Sequence, residues 1–246
     1  MTARGDVLHP SEGKMWEGGV RYLAPSGDRS FAITLFSGQK DGQPVVDSVN
    51  TAECAAFVGP TSTCYTQDNK SEAKGVELEA RAELAQGLDL IASYTWQKVR
   101  LTESSDAAIN PDIATGDRSV DKHMVGVPDH LAAVWLNYAL PQSLLPGATV
   151  GAGVRYVGST YGTATNAWGA TEYEYAGRAS KVPSFTLVNL ALGYDFGAAN
   201  SQLKGLRATL NVTNLFDKEY VAACNGYGTC SFGAERRVML NVNYTW

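Results

Sequence analysis

The chain closes on Glu235-Arg236-Arg237-Val238-Met239-Leu240-Asn241-Val242-Asn243-Tyr244-Thr245-Trp246. Save for Met239, apolar and polar residues alternate from Val238 onward, and the last residue is aromatic. A strand written this way has one greasy face and one wet face. A soluble strand can share the alternation, but a soluble domain rarely ends on an exposed Tyr-x-Trp. A strand of an outer-membrane barrel does so readily: lipid solvates the greasy face, and aromatic rings settle at the interface.

The same period recurs upstream. Nine strands are predicted, at about 15–24, 29–39, 72–84, 88–101, 127–140, 148–159, 182–196, 204–220 and 233–246. Val76, Leu78, Ala80, Ala82 and Leu84 interleave with Glu77, Glu79, Arg81 and Glu83. Leu206, Ala208, Leu210 and Val212 interleave with Arg207, Thr209, Asn211 and Thr213. Val188, Leu190, Leu192 and Tyr194 interleave with Asn189, Ala191, Gly193 and Asp195. The expectation is that even-numbered apolar side chains face hydrocarbon and their odd-numbered neighbours face a water-filled pore. Glu72 to Gln86 also reads as helix, being rich in Glu, Ala and Leu. Its strict two-residue alternation selects strand.

Short and long connections alternate. Pro25-Ser26-Gly27-Asp28, Ala85-Gln86-Gly87, 141–147 and 197–203 are short; 40–71, 102–126, 160–181 and 221–232 are long. An asymmetric membrane sorts loops this way, with tight periplasmic turns and large external loops. If Trp246 ends in the periplasm, strand parity puts every short turn on that side. Two aromatic girdles follow: Tyr138, Tyr194, Phe196, Tyr244 and Trp246 at the periplasmic ends, and Tyr94, Trp96, Tyr156 and Phe216 at the outer ends. The competing reading is ordinary β-sandwich core aromatics.

Bulk properties remove several classes. The net charge is −5 with no basic run, which argues against nucleic-acid binding. Mean hydropathy is −0.17, and no apolar run approaches the roughly 18 residues of a membrane helix. Residues 1–14 hold no apolar core of a signal peptide, so Met1 is expected to be an internal or artificial start. The chain reads as one unit over 1–246, without internal repeat or linker. Cys54 and Cys64 form one close pair and Cys224 and Cys230 another, without the spacing of a CxxC motif. Two local disulfides in an oxidising compartment fit better than four unrelated thiols.

No catalytic constellation appears. His9, His123 and His130 are scattered, and Gly151-Ala152-Gly153 continues as Val-Arg-Tyr rather than as a dinucleotide fingerprint. Acidic residues read as the wet faces of strands rather than as acid/base couples. An enzyme is not expected.

Residues 205–246 carry a specific resemblance. Asn211-Val212-Thr213-Asn214-Leu215-Phe216-Asp217-Lys218-Glu219-Tyr220 resembles the N-x-x-N-L-F-D-x-x-Y segment of TonB-dependent siderophore receptors. Gly233-Ala234-Glu235-Arg236-Arg237 resembles the G-x-x-R turn into their last strand, and Tyr244-Thr245-Trp246 resembles their aromatic-ended assembly signal. Gly75-Val76-Glu77-Leu78-Glu79 is similar to their R-G-x-E-L-E strand, with Lys74 in place of Arg. Val154 to Ser159 and Pro183 to Val188 match further strands. The short Cys224–Cys230 loop is similar to the ferrichrome-type, hydroxamate-siderophore branch. Those receptors have a 22-stranded barrel with a plugged lumen. The resemblance covers about 15–246 and corresponds to the last nine strands, with neither plug domain nor TonB box. Nine strands cut from a larger barrel leave two open edges, and each unpaired backbone group costs several kcal/mol in lipid.

The resemblance implies the all-β wall of a transmembrane antiparallel barrel in a Gram-negative outer membrane, taking up a ferric siderophore with energy relayed by TonB through the plug. Implied partners are the ferric siderophore, outer-membrane lipid, TonB through the missing plug domain and the barrel assembly machinery. No cofactor is implied, since iron arrives already chelated. Ligand contacts are expected from Tyr161, Trp168, Tyr173 and Tyr175 in one external loop and Tyr227 and Phe232 in another, because aromatic faces suit a large, partly apolar chelate. The plainer alternative is that these rings pack the loops together. Arg155, Arg207, Glu235 and Arg237 share pore parity and are expected either to form a charge ladder against the plug or to stand as solvated wall charges. Rival readings are a receptor for a catecholate siderophore, heme, cobalamin or a glycan, a small barrel with a structural or adhesive role, and a soluble all-β domain.

Overall fold

Each of the nine predicted segments holds one strand of a single antiparallel sheet. The computed structural model describes residues 1–47, 50–59, 62–105, 119–162, 181–224 and 230–246. The wall strands are β1 (Glu12–Leu23), β2 (Arg29–Val46), β3 (Tyr65–Ala85), β4 (Leu88–Glu103), β6 (His130–Ala139), β7 (Ala148–Val157), β10 (Phe185–Asp195), β11 (Leu206–Thr213) and β14 (Arg237–Tyr244). They pair in that order, and β5 (Ser119–His123) adds to the upper part of β4. Two short ribbons pair outside the wall: β8 (Thr160–Tyr161) with β9 (Lys181–Val182), and β12 (Val221–Cys224) with β13 (Cys230–Phe232). Helix α1 (Thr51–Val58) lies between β2 and β3, and α2 (Phe196–Ala199) follows β10. The sheet does not close on itself, and β1 and β14 are its edges.

The register gives all nine strands one shared, predominantly apolar face. Across one row, Val20 meets Ile33, Ile33 meets Leu78, Leu78 meets Tyr94, and Tyr94 meets Ala132. Across another, Val154 meets Val188, and Leu190 meets Val212, which meets Val238. Apolar residues on this face stand in solvent: Val20, Leu35, Val134, Val154, Leu240 and Val242 are 40% exposed or more. No soluble core covers them, and hydrocarbon is the solvent that suits such a face.

The even-number rule needs one correction. On β2 the apolar residues are odd: Phe31, Ile33 and Leu35 pair with Tyr22, Val20 and Gly18. Leu23 pairs with Ser30 across six connecting residues, and an even-numbered connection reverses parity. The β2–β3 connection reverses it back, since Val46 pairs with Tyr65. The opposite face is polar, with Glu77, Glu79, Thr95, Asn137, Asn189 and Asn241. Arg21 and Glu79 on it approach to 3.8 Å. Trp135 lies on this face with its indole over Gly151 and Gly153, where an added Cβ would come within 2.5 and 2.2 Å of the ring.

The short connections gather at one end. Thr245 N–H donates to the Gly205 carbonyl at 3.0 Å, and Asp195 N–H to Gly147 at 2.9 Å, tying the C-terminus and adjacent turns together. The long connections gather at the other. There the strands outrun their predicted limits: β2 runs to Val46 and β3 starts at Tyr65, so both ends of the 40–71 segment are strand. Glu72–Gln86 is strand through Ala85, against its helix propensity. At roughly 3.3 Å per residue the 21 residues of β3 reach ~70 Å, well beyond a hydrocarbon layer of about 30 Å. Both expected disulfides form, Cys54–Cys64 and Cys224–Cys230. The first is buried with Ala3 and Val58 beneath α1.

Five predicted strands are shorter than expected, and β11 and β14 lose most. β11 stops at Thr213 and β14 starts at Arg237, because the intervening motif residues build a knot. Asn214, buried and at φ +52°, starts it. Its amide donates to the carbonyls of Lys218 (2.9 Å) and Ala234 (3.1 Å), and its Oδ1 accepts from Lys218 N–H (2.9 Å). Arg236 N–H donates to Asp217 at 2.7 Å. Tyr220 packs on Phe185 with ring centroids 4.3 Å apart, and its other neighbour is Gly233, where a Cβ would fall 1.9 Å from the ring. Phe216 thus lies in this turn, 74% exposed, and not on a strand.

Asn214→Ala removes three hydrogen bonds and strains a left-handed backbone, at a cost on the order of 3 kcal/mol. Asn214→Gly keeps the backbone and loses the bonds alone. The temperature at which the folded barrel loses its anomalous gel mobility is expected to fall in the order parent, Gly variant, Ala variant.

Candidate functional site at the long-loop end

The long-loop end is organised around Arg100. β4 runs past the apolar band, so Arg100 stands on the greasy parity where no lipid is expected. It is only 12% exposed. Its guanidinium donates through both terminal nitrogens to Asp129, each at 3.2 Å, and to the Val99 carbonyl at 3.1 Å. Asp121 is 3.9 Å from its Nε. His123, the register partner of Arg100 on β5, sits with Nδ1 3.6 Å from Asp129. Burial is the largest influence on His123 and lowers its pKa; the Arg100 charge lowers it further, against the opposing pull of Asp129 and Asp121. This knot pins segment 119–129 against β4, helped by Gln97 Nε2 donating to Pro128 at 3.0 Å.

Tyr161 is part of that knot. Its ring lies 4.5 Å from the His123 ring, and its carbonyl accepts from Gly126 N–H at 2.9 Å. It therefore braces the loop. Phe232, by contrast, is 75% exposed on β13. The two loops expected to share ligand contacts do come together, because Val182 of β9 and Cys224 of β12 are buried against each other, with Val221 and Cys230 alongside. Trp168, Tyr173, Tyr175 and Tyr227 lie outside the described residues.

The pore-parity charges are not gathered. Arg207 pairs with its cross-strand partner Asp195 at 3.0 Å, near the short-turn end. Arg237 stands opposite Thr213 at the other end of the same strand pair. Glu235 precedes β14 rather than belonging to it. Among the described residues the four form no ion pair with one another; Arg155 lies on β7 opposite Leu187 and Ala133. Tyr244 and Trp246 stand at the short-turn end with ring centroids 6.3 Å apart, and Trp246 is fully exposed.

The family profile described as "TonB dependent receptor-like, beta-barrel" matches residues 2–215. The chain belongs to that family. Similar proteins include the ferrioxamine B receptor of Salmonella typhimurium, 35% identical over 98% of this chain and 29% of the relative. The ferrichrome outer membrane transporter/phage receptor of Escherichia coli K12 is 31% identical over 98% of this chain and 27% of its own length. Among solved structures, the ferripyoverdine receptor of the Pseudomonas aeruginosa outer membrane superposes with a TM-score of 0.72 at 21% identity, covering 99% of this chain and 28% of that one. The chain thus spans less than a third of these relatives, and as a TonB-dependent receptor barrel it is an outer-membrane wall segment, not an enzyme. The Arg100 knot and the Asn214 bonds were not foreseen. The signal for the first was present, since Lys98 and Arg100 place charge on greasy parity just past Trp96.

Since the folded state holds His123 neutral below its ordinary pKa of about 6.5, its stabilisation is full above that value and shrinks as pH falls beneath it. In the receptor carrying this barrel, proteolytic cutting of 119–129 should increase between pH 7.5 and 5.5, and His123→Asn should remove that dependence. Arg100→Met, which strands Asp129, should loosen the segment at every pH.

Proposed function

We propose that this barrel segment belongs to an outer-membrane receptor that takes up a ferric siderophore of the hydroxamate class. The similarity to the Salmonella ferrioxamine B receptor along 98% of the chain carries the reading. The sorted connections support it: a wall with tight turns at one end and large, disulfide-braced loops at the other suits capture from one side of a membrane. The polar face supplies a hydrated wall for a chelate to pass. Iron enters as the chelate, so the protein needs to recognise a partly apolar, oxygen-rich surface rather than to ligate metal. Aromatic faces with a few donors do this.

In this reading Phe232, Trp168, Tyr173, Tyr175 and Tyr227 offer the contacts, while Tyr161 holds the first loop in place. TonB acts through a plug domain that fills the lumen, and Arg155, Arg207, Glu235 and Arg237 contribute to the charged wall around it. Tyr244 and Trp246 present the terminal strand to the assembly machinery.

The test uses the whole receptor that carries this chain. Replacing Trp168, Tyr173 and Tyr175 together with Ser should weaken binding of a ferric hydroxamate roughly tenfold or more, on the scale of several aromatic contacts. Gel mobility of the folded barrel should not change. Unaltered binding and uptake in that variant would remove the site assignment.

A further inference from the structure

Val182 and Cys224 are only 2% and 3% exposed, although both stand in connections above the wall. They bury each other, with Val221 and Cys230 packed alongside. Two short ribbons meet at this joint. β8 and β9 pair over two residues each, with Thr160 opposite Val182 and Tyr161 opposite Lys181. β12 and β13 hold four and three residues, with Cys224 opposite Cys230 and Val221 opposite Phe232. A lone two-stranded hairpin is marginal in water even with strands of ordinary length. Each ribbon therefore owes its order to the apolar surface it shares with the other.

The joint is a clamp rather than a pivot. Three residues after Val182, Phe185 packs on Tyr220, which lies four residues before Cys224, with ring centroids 4.3 Å apart. Gly233 N–H donates to the Tyr220 carbonyl at 2.8 Å and closes the base of the second ribbon. Two contacts along both segments fix the angle between them, where a single contact would leave it free.

The far side of the first ribbon is also held at two points. The Tyr161 ring lies on His123, and the Tyr161 carbonyl accepts from Gly126 N–H. Met124 N–H in turn donates to the Val99 carbonyl of β4 at 3.1 Å. Contacts thus run without a gap from β4, through 119–129, β8 and β9, to β12 and β13. They cross the rim above six consecutive wall strands, β4 to β14.

We infer that Val182 is a positioning residue that makes the β4–β6, β7–β10 and β11–β14 connections one cooperative unit. It sets the place of Tyr161 through the β8–β9 pairing, and that of Phe232 through Val221, the register partner of Phe232. A contact that orders one connection then orders the others, so a ligand touching two of them meets the ordering cost once. The unit is built within the rim itself and stands whatever chelate the receptor carries.

Hydrogen exchange of the whole receptor that carries this barrel, in detergent and without ligand, tests this. The reporter is the peptide holding Gly126, whose amide is bonded to Tyr161. Val182→Ser should speed its exchange about tenfold, the scale on which loss of a buried aliphatic group shifts a local opening equilibrium. Cys224→Ser/Cys230→Ser should do the same from the far end of the contacts. Combined, the two changes should not add at Gly126, because either one breaks the same connection. Cys54→Ser/Cys64→Ser opens a bridge buried with Ala3 and Val58, away from these contacts, and should leave Gly126 at the parent rate. Unchanged gel mobility verifies assembly of each variant, and Val182→Ala replaces Val182→Ser if the latter does not assemble. The proposal is overturned if Gly126 keeps the parent rate while 181–182 and 221–224 exchange faster. It is equally overturned if the two changes add, or if the Cys54/Cys64 variant acts as the Cys224/Cys230 variant does.

Discussion

Backbone pairing in a medium without water dominates this wall. A peptide group in hydrocarbon must find its partner in a neighbouring strand, so the strands have to run side by side in continuous register. Once they do, side-chain direction is settled for every residue at once, because a slip of one residue would turn a whole strand inside out. That is why Phe31, Ile33 and Leu35 take odd positions while their neighbours across β1 and β3 take even ones. Numbering is incidental; the shared face is what the membrane selects.

The two ends of the wall answer to different physics. At the short-turn end, backbone hydrogen bonds between adjacent turns hold the strands without much side-chain help. At the long-loop end the chain leaves lipid, and side chains take over: the Cys54–Cys64 bridge under α1, the guanidinium of Arg100 on Asp129, and the amide of Asn214 on Lys218 and Ala234. Each local device fixes a loop on a strand that is already rigid. Loops meant to present a surface to a large ligand gain precision from such anchoring, since less order has to be created on binding.

Strand-by-strand alternation was enough to read the wall, its nine members and the sorting of its connections. It was enough because lipid facing leaves a strict period-two record even in Glu72–Gln86, whose residues prefer helix. What alternation did not carry was parity between strands. That depends on whether a connection holds an odd or even number of residues, and the six residues between Leu23 and Ser30 are visible as such only once the pair is known. Strand ends near the loops were misjudged for a related reason. β2 and β3 continue above the membrane, where polar residues fill both faces and the period fades, while Asn214 to Tyr220 looks strand-like but is bound up by its own side chains. Some polar partnerships of the loops join residues 20 to 30 positions apart, such as Arg100 with Asp129 and Asn214 with Ala234, and no local pattern encodes those.

Trp135 gives the wall one further property. Gly153 is its register partner and Gly151 lies alongside, so the indole rests sideways on bare backbone instead of standing upright. At that level the bore narrows by about one ring thickness, on the order of 3.5 Å, rather than by the full length of a tryptophan. A large aromatic surface is thereby laid flat on the polar face of the wall, and any side chain added at either glycine would swing the indole away from the backbone.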